Sequence, residues 1–257
     1  MNNLTLKKYL APARFYKRMA IVGLPIMIQQ MLNSIMGIVD SIMVSSINGV
    51  SAVGNATQIE NLMMTISFGA ASGASIFIAQ YFGAKDQPHQ RKSFMVGVSF
   101  TLMIALGMLT LAAFFPSALM RFFIDDVEVI ERSLIYLDIV KWSYIPFVIT
   151  MMFSFAYRSI QKTMISLGIG IFAMVTNVLL NALLIFGLFG FPALGIQGAA
   201  IATLIAHILS AIIHVIYAVV TKQPFFSFKL QDMKVESQLV KKRSEEHTSE
   251  LQSLSHL

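Results

Sequence analysis

The stretch MAIVGLPIMIQQMLNSIMGIVDSIMV, residues 19–44, is an almost continuous apolar run. A helix needs about 20 such residues to cross a bilayer core about 30 Å thick. The run is too long for the core of a signal peptide, and no small-residue cleavage site follows it. It therefore predicts a membrane-spanning helix that is retained in the protein.

Five further stretches of the same kind follow the first. The six predicted spans cover residues 19–44, 52–82, 92–116, 129–157, 163–187 and 197–220. Of the 257 residues, 56% are hydrophobic and 12% are charged, whereas about 25% are charged in an average soluble domain. We therefore expect an all-α membrane protein, a six-helix bundle surrounded by the lipid bilayer.

The basic residues predict the orientation of this bundle. If the amino terminus is cytoplasmic, 16 of the 19 Lys and Arg residues lie on the cytoplasmic side, as the positive-inside rule requires. The exceptions are Arg121 and Arg132 outside and Lys141 within the fourth span. Because the basic clusters are short and lie between apolar runs, the net charge of +6 indicates topology and not nucleic-acid binding. The expected location is the cell membrane, in a bacterium the inner membrane.

Polar segments flank the spans and predict the domain boundaries. Residues 1–18 are expected to be a cytoplasmic amino-terminal segment, 19–221 the transmembrane lobe, and 222–243 a cytoplasmic linker. Residues 244–257 are polar without periodicity and resemble a translated sequencing-adapter read, so we interpret them as a non-native tail. On this interpretation the natural protein continues beyond about Arg243 into a second lobe.

Polar side chains within the spans are candidates for function, because they are costly in lipid. In the first span, Gln29, Asn33 and Asp40 lie within about 40° of one another on one helix face. Pro25 lies below them and predicts a hinge. Hydrogen bonding between helices explains the two amides equally well, but for the lone carboxylate of Asp40 a functional role is the better explanation.

The fifth and sixth spans carry matching polar faces. Asn177 and Asn181 are four residues apart and therefore stacked. The face of the sixth span carries Thr203, His207, Ser210 and His214. At 1.5 Å per residue, Asp40, Asn177, Asn181 and Thr203 reach similar levels in the outer half of the bundle. A carboxylate with amide and hydroxyl oxygens suits a hard cation such as Na⁺, or a proton.

Other ionisable side chains in the spans have two interpretations. Glu60 either joins this site or faces a watery vestibule. His207 is either a proton carrier or, as is more frequent, a packing residue. Asp138 and Lys141, three residues apart in the fourth span, predict a mutually neutralising pair.

Three stretches, taken in order and with their spacing, resemble the multidrug and toxic compound extrusion (MATE) family. They are GLPI at 23–26 with Gln29 and GIVDSIMV at 37–44; GASIFIAQYFGAKD at 73–86; and Asn177 and Asn181 followed by IFGLFGFPALGIQGAAIAT at 185–203. The resemblance covers roughly residues 15–221. It corresponds to one six-helix lobe of a two-lobe (6+6) transporter.

The resemblance implies an exporter of amphipathic or cationic organic compounds, driven by Na⁺ or H⁺ and needing no cofactor. In one branch of the family a cation site is formed by an Asp, an Asn and an Asp four residues apart, and a Thr. These match Asp40, Asn177, Asn181 and Thr203, with the amide of Asn181 in place of a second carboxylate, so the coupling ion stays open. The substrate cavity is expected to include Gln29, Asn33, Glu60 and His207.

Two alternatives remain at this point. A flippase for lipid-linked sugars has similar helices, but such proteins usually line their cavity with several basic residues, and here Lys141 is the only basic residue away from the ends of a predicted span. The chain could also be a truncated fragment without activity. An enzyme is not expected, since the spans show no nucleophile paired with a base and no metal-ligand spacing.

Overall fold

The computed structural model describes residues 12–47 and 49–226. Within these residues six helical segments are long and apolar enough to cross a membrane. The predicted fold class, an all-α bundle with six spans, is therefore confirmed. The predictions for residues 1–11, for most of the linker and for the tail at 244–257 lie outside the described residues.

The helix bounds lie close to the predicted ones. The helices are α1 (Ala13–Ser45), α2 (Val50–Gly83), α3 (Gln87–Phe114), α4 (Pro116–Arg121), α5 (Val127–Val140), α6 (Tyr144–Ser159), α7 (Thr163–Phe186) and α8 (Ile196–Val220). Helix α1 begins at Ala13 and not at residue 19, so the end of the predicted amino-terminal segment is helical. The short helix α4 was not predicted.

The fourth span is not the continuous helix predicted for residues 129–157. A 3₁₀ turn at Lys141–Ser143 separates α5 from α6. Pro146 lies just beyond the turn; its ring excludes the carbonyl four residues earlier and it has no N–H to donate to it, which accounts for the break. Within the turn, Lys141 donates to Asp138 over 2.6 Å, so the predicted pair forms.

Turn chemistry defines several helix ends. The Asp86 carboxylate accepts from the backbone N–H of His89 and caps α3, and Asp126 caps α5 in the same way. Helix α7 ends at Gly187 with φ +69°, and a Cβ there would lie 2.8 Å from the Ala193 nitrogen and the Phe191 oxygen. Only glycine fits this turn, which reverses the chain from α7 into α8.

The helices enclose two apolar cores. The first includes Ile59, Met63 and Leu137, and the second includes Phe94 and Met152. Many large apolar side chains on the outer surface are exposed, as expected where the solvent is lipid. Helix α1 contacts chiefly α7, while α7 and α8 form a tightly packed hairpin. The position of α1 therefore depends mainly on its contacts with α7.

The chain that leaves α8 folds back against the bundle. Phe225 is fully buried and contacts the rings of Phe94 and Tyr157. The side chain of Lys162 donates to the Gln223 side chain over 3.0 Å. The chain therefore leaves the bundle from an anchored position.

Candidate functional site

Four polar side chains from three helices form one chain of hydrogen bonds. The Asn181 amide on α7 donates to the Asp40 carboxylate on α1 over 2.7 Å. The same amide donates to the Asn177 oxygen over 3.0 Å, and the Asn177 amide donates to the Thr203 hydroxyl on α8 over 3.3 Å. The structure thus brings together the four residues that the sequence placed at one level. We call them the Asp40 cluster.

The Asp40 cluster contains an oxygen that lacks a partner. The amide nitrogen of Asn181 makes both bonds described above, and its Oδ1 atom is buried without a hydrogen bond from any of the described residues. A buried acceptor without a donor is costly, and a cation is one group that would satisfy it. Hard cations such as Na⁺ prefer carboxylate, amide and hydroxyl oxygens, so the residues present fit such an ion.

The helix hairpin α7–α8 fixes the position of Asn177 and Asn181 on α7 relative to Thr203 on α8. Asn177 and Asn181 are almost completely buried, so they cannot exchange their partners for water without helix movement. At Gly198 on α8, an added Cβ would lie 2.6 Å from the carbonyl carbon and oxygen of Leu184 on α7. This close backbone approach, which only glycine permits, keeps Thr203 within reach of Asn177.

A second polar pair, Glu60 with His207, lies near the Asp40 cluster. The His207 Nε2 atom is 3.6 Å from the Glu60 Oε1 atom, and their side chains are only 21% and 14% exposed. Both are close enough to Asp40 to interact with its charge. The rings of His207 and Phe147 also pack against each other in a T-shaped arrangement. The structure therefore places Glu60 beside the cluster and pairs it with a base.

The remaining predicted residues on α1 lie apart from Asp40 or have other partners. Gln29 accepts a 2.8 Å hydrogen bond from the Arg158 guanidinium on α6. Asn33 is exposed, and its amide donates to Gln30 over 3.4 Å. Pro25 is buried within α1, which continues as a helix on both sides of it. The structure does not join Gln29 and Asn33 to the Asp40 cluster.

Sequence reasoning missed two residues near these groups. The sequence predicts Arg158 in a cytoplasmic loop, but it lies in the last turn of α6, where its Nε atom is buried and has no hydrogen-bond partner in the part of the chain that the structure describes. Tyr144 is buried, and its hydroxyl has no hydrogen-bond partner among residues 12–47 and 49–226. The one sequence feature that could have indicated the positions of both residues is Pro146, because a proline predicts a break in the fourth span and the break sets the direction of α6.

The chain was compared with protein-family models and with curated proteins, and both comparisons give matches. The family model MatE matches residues 25–183, more than half of the chain. The chain is 27% identical to the probable multidrug resistance protein YoeA of Bacillus subtilis, covering 81% of this chain and 46% of that protein. It is 31% identical to the probable multidrug resistance protein NorM of Bacillus cereus, covering 83% and 48%. The chain therefore spans about half the length of the curated relatives that it matches.

The fold also matches half of a solved transporter. The outward-facing structure of a multidrug resistance MATE family transporter of the MOP superfamily aligns with a TM-score of 0.78 at 18% identity, over 88% of this chain and 49% of that one. At this identity the match concerns the fold alone. It shows that the six spans are arranged as in one half of such a transporter. Together with the family model, it shows that this multi-pass membrane protein belongs to the MatE family.

Proposed function

We propose that the chain is the amino-terminal lobe of a two-lobe antiporter that exports amphipathic or cationic organic compounds in exchange for Na⁺ or H⁺. The observation that carries the proposal is the Asp40 cluster, in which a carboxylate on α1 is bonded to buried amides on α7. A site of this kind can hold a cation and link its occupancy to the position of a helix.

The mechanism follows from the contacts of α1. Helix α1 contacts chiefly α7, and the hydrogen bond between Asp40 and Asn181 joins these two helices. A bound Na⁺ or proton cancels the charge of Asp40. The carboxylate that accepts the hydrogen bond from the Asn181 amide is thereby changed. An empty, ionised carboxylate within the bundle is costly, so cation binding and release favour different positions of α1. Pro25, which removes one backbone hydrogen bond from this helix, is the hinge in this proposal.

Two observations support the rest of the proposal. The relatives are about twice as long as this chain, which leaves room for a second lobe that would close the cavity. The partition of basic residues supports a cytoplasmic amino terminus. The substrate class is proposed from the names of the relatives, from the exposed amides Gln30 and Asn33 and from the exposed apolar side chains of α1.

Export is tested in a bacterium that lacks its own drug pumps. Expression of the full-length, two-lobe protein is expected to raise tolerance to cationic dyes and to lower the accumulation of ethidium in the cells, and collapse of the Na⁺ and H⁺ gradients is expected to reverse both effects. Unchanged tolerance to every dye and cationic drug would contradict the proposal. Complementation of a strain that lacks its lipid-linked sugar flippase would instead establish the alternative function.

Asn181→Asp is expected to shift the cation dependence of efflux without abolishing it. The new carboxylate replaces an amide that lies 2.7 Å from Asp40, so two negative charges meet unless a cation lies between them. We expect the variant to hold its cation more tightly, with half-maximal efflux at an about tenfold lower cation concentration, equivalent to about 1.4 kcal/mol. Dye efflux measured over a series of pH values and Na⁺ concentrations gives this value.

The matched control is Asn33→Asp, which adds the same charge to α1 at an exposed position bonded only to Gln30 among the contacts described. It is expected to leave the cation dependence unchanged. Equal shifts of the cation dependence in the two variants would show that the added charge acts by long-range electrostatics and not within the Asp40 cluster.

A further inference from the structure

We propose that Glu60 and His207 form a proton-binding site separate from the Asp40 cluster, so that the lobe takes up two cations and not one. This inference deepens the proposed antiport function and rests on it. It follows from the position of the pair, from the groups that surround it and from the charge that must be neutralised.

The pair joins two spans inside the bundle. Glu60 lies on α2 and His207 on α8, with 3.6 Å between carboxylate oxygen and imidazole nitrogen and little exposure of either side chain. An ionised carboxylate at such a position is costly unless a positive charge lies beside it. Among the described residues, His207 is the basic side chain within 4.0 Å of Glu60. A proton on the imidazole supplies the missing charge.

Within residues 12–47 and 49–226, no basic side chain other than His207 lies within 4.0 Å of the Glu60 carboxylate. Three titratable side chains on neighbouring elements interact electrostatically with Glu60, namely Asp40, Tyr136 and Tyr144, and all three are acids. The bases of α5 and of the turn that follows it have other partners: Lys141 donates to Asp138 and Arg132 donates to the backbone oxygen of Ile47. His207 is therefore the group that can balance Glu60.

The count of charges separates the two sites. With Asp40 and Glu60 ionised and the imidazole neutral, the three side chains carry two negative charges, which one monovalent cation cannot neutralise. The Asp40 cluster offers oxygens, which suit Na⁺ or a proton. The pair offers an imidazole nitrogen beside a carboxylate, a combination that suits a proton and is a poor ligand set for Na⁺. We therefore expect the lobe to take up two cations, at least one of which is a proton.

Proton counting on the purified chain in detergent tests the inference without any transport. A potentiometric titration from about pH 8 to about pH 5.5 spans the range in which histidine takes up a proton. Glu60→Gln and His207→Gln are each expected to reduce the uptake by about one proton, and the double variant to lose no more than either single variant, because coupled groups share one proton. Circular dichroism and gel filtration establish that each variant is folded, and Glu60→Met replaces Glu60→Gln if that variant does not fold.

Two further variants make the result specific. His214→Gln is the matched control, because His214 is also a buried histidine on α8 but bonds to the Ser210 backbone oxygen and to Ser154; it is expected to leave the uptake unchanged. Asp40→Asn is expected to keep the proton of the pair. The test therefore does not depend on whether the Asp40 cluster binds a cation. Additive losses in the double variant, no loss in Glu60→Gln, equal loss in His214→Gln, or disappearance of the pair's proton in Asp40→Asn would each overturn the inference.

Discussion

Asp40→Asn in the full-length transporter is expected to reduce ion-coupled efflux to the level of cells without the protein. The substitution removes the one carboxylate of the Asp40 cluster, and with it the charge for which Na⁺ and protons would compete. The asparagine oxygen can still accept the bond that Asn181 donates over 2.7 Å. Expression, helix content and melting temperature are therefore expected to stay close to those of the wild type. Dye efflux from loaded cells, compared at equal protein level, measures the effect.

Asp138→Asn is the control for this substitution. Asp138 is also an acid within a span, but its side chain is 76% exposed and pairs with Lys141. Its variant is expected to retain efflux. Normal transport by Asp40→Asn across pH and Na⁺ conditions would show that the coupling site lies outside the Asp40 cluster.

Gly198→Ala is expected to destabilise the bundle and to disrupt the Asp40 cluster with it. The added Cβ would meet the Leu184 carbonyl group at 2.6 Å and the Ile185 nitrogen at 3.0 Å. These are backbone atoms, which cannot turn aside as a flexible side chain can, so α7 and α8 must separate. Overpacking of this kind costs about 1–3 kcal/mol. Thermal unfolding followed by circular dichroism is expected to show a lower melting temperature, accompanied by reduced efflux.

Gly168→Ala on α7 provides the matched comparison. A Cβ at Gly168 meets no atom within 4 Å, and alanine favours a helix over glycine by about 1 kcal/mol. This variant is expected to melt at or above the temperature of the wild type. If the two alanine variants melted at the same temperature, the close approach at Gly198 would not matter for stability.

The sequence predicts the spans well because lipid imposes a simple rule. A helix that crosses the membrane needs about 20 apolar residues, and the ends of α2, α7 and α8 lie within two residues of their predicted positions. The rule does not register interruptions within an apolar run. The break at Lys141–Ser143 depends on one proline, and the early start of α1 involves residues too polar to count toward the span.

Only the part of the candidate site that depends on helix spacing and depth could be predicted from the sequence. Spacing along each helix and depth in the membrane placed Asp40, Asn177, Asn181 and Thr203 at one level, and their hydrogen bonds agree with that placement. The contact of Gln29 with Arg158 depends on how α1 and α6 are rotated against each other. Rotation is set by packing between distant segments, which one sequence without structure does not reveal.

The central claim is that the Asp40 carboxylate binds the coupling cation, and infrared difference spectroscopy on the purified chain tests it most directly. Spectra are recorded as Na⁺ is added and as the pH is lowered, because Na⁺ shifts a carboxylate band and a proton converts it into a carboxylic acid band. The account predicts that the wild-type difference spectrum contains such a band for at least one of the two cations, that Asp40→Asn lacks it, and that Asp138→Asn retains it. Identical responses of the wild type and Asp40→Asn to both cations would contradict the account.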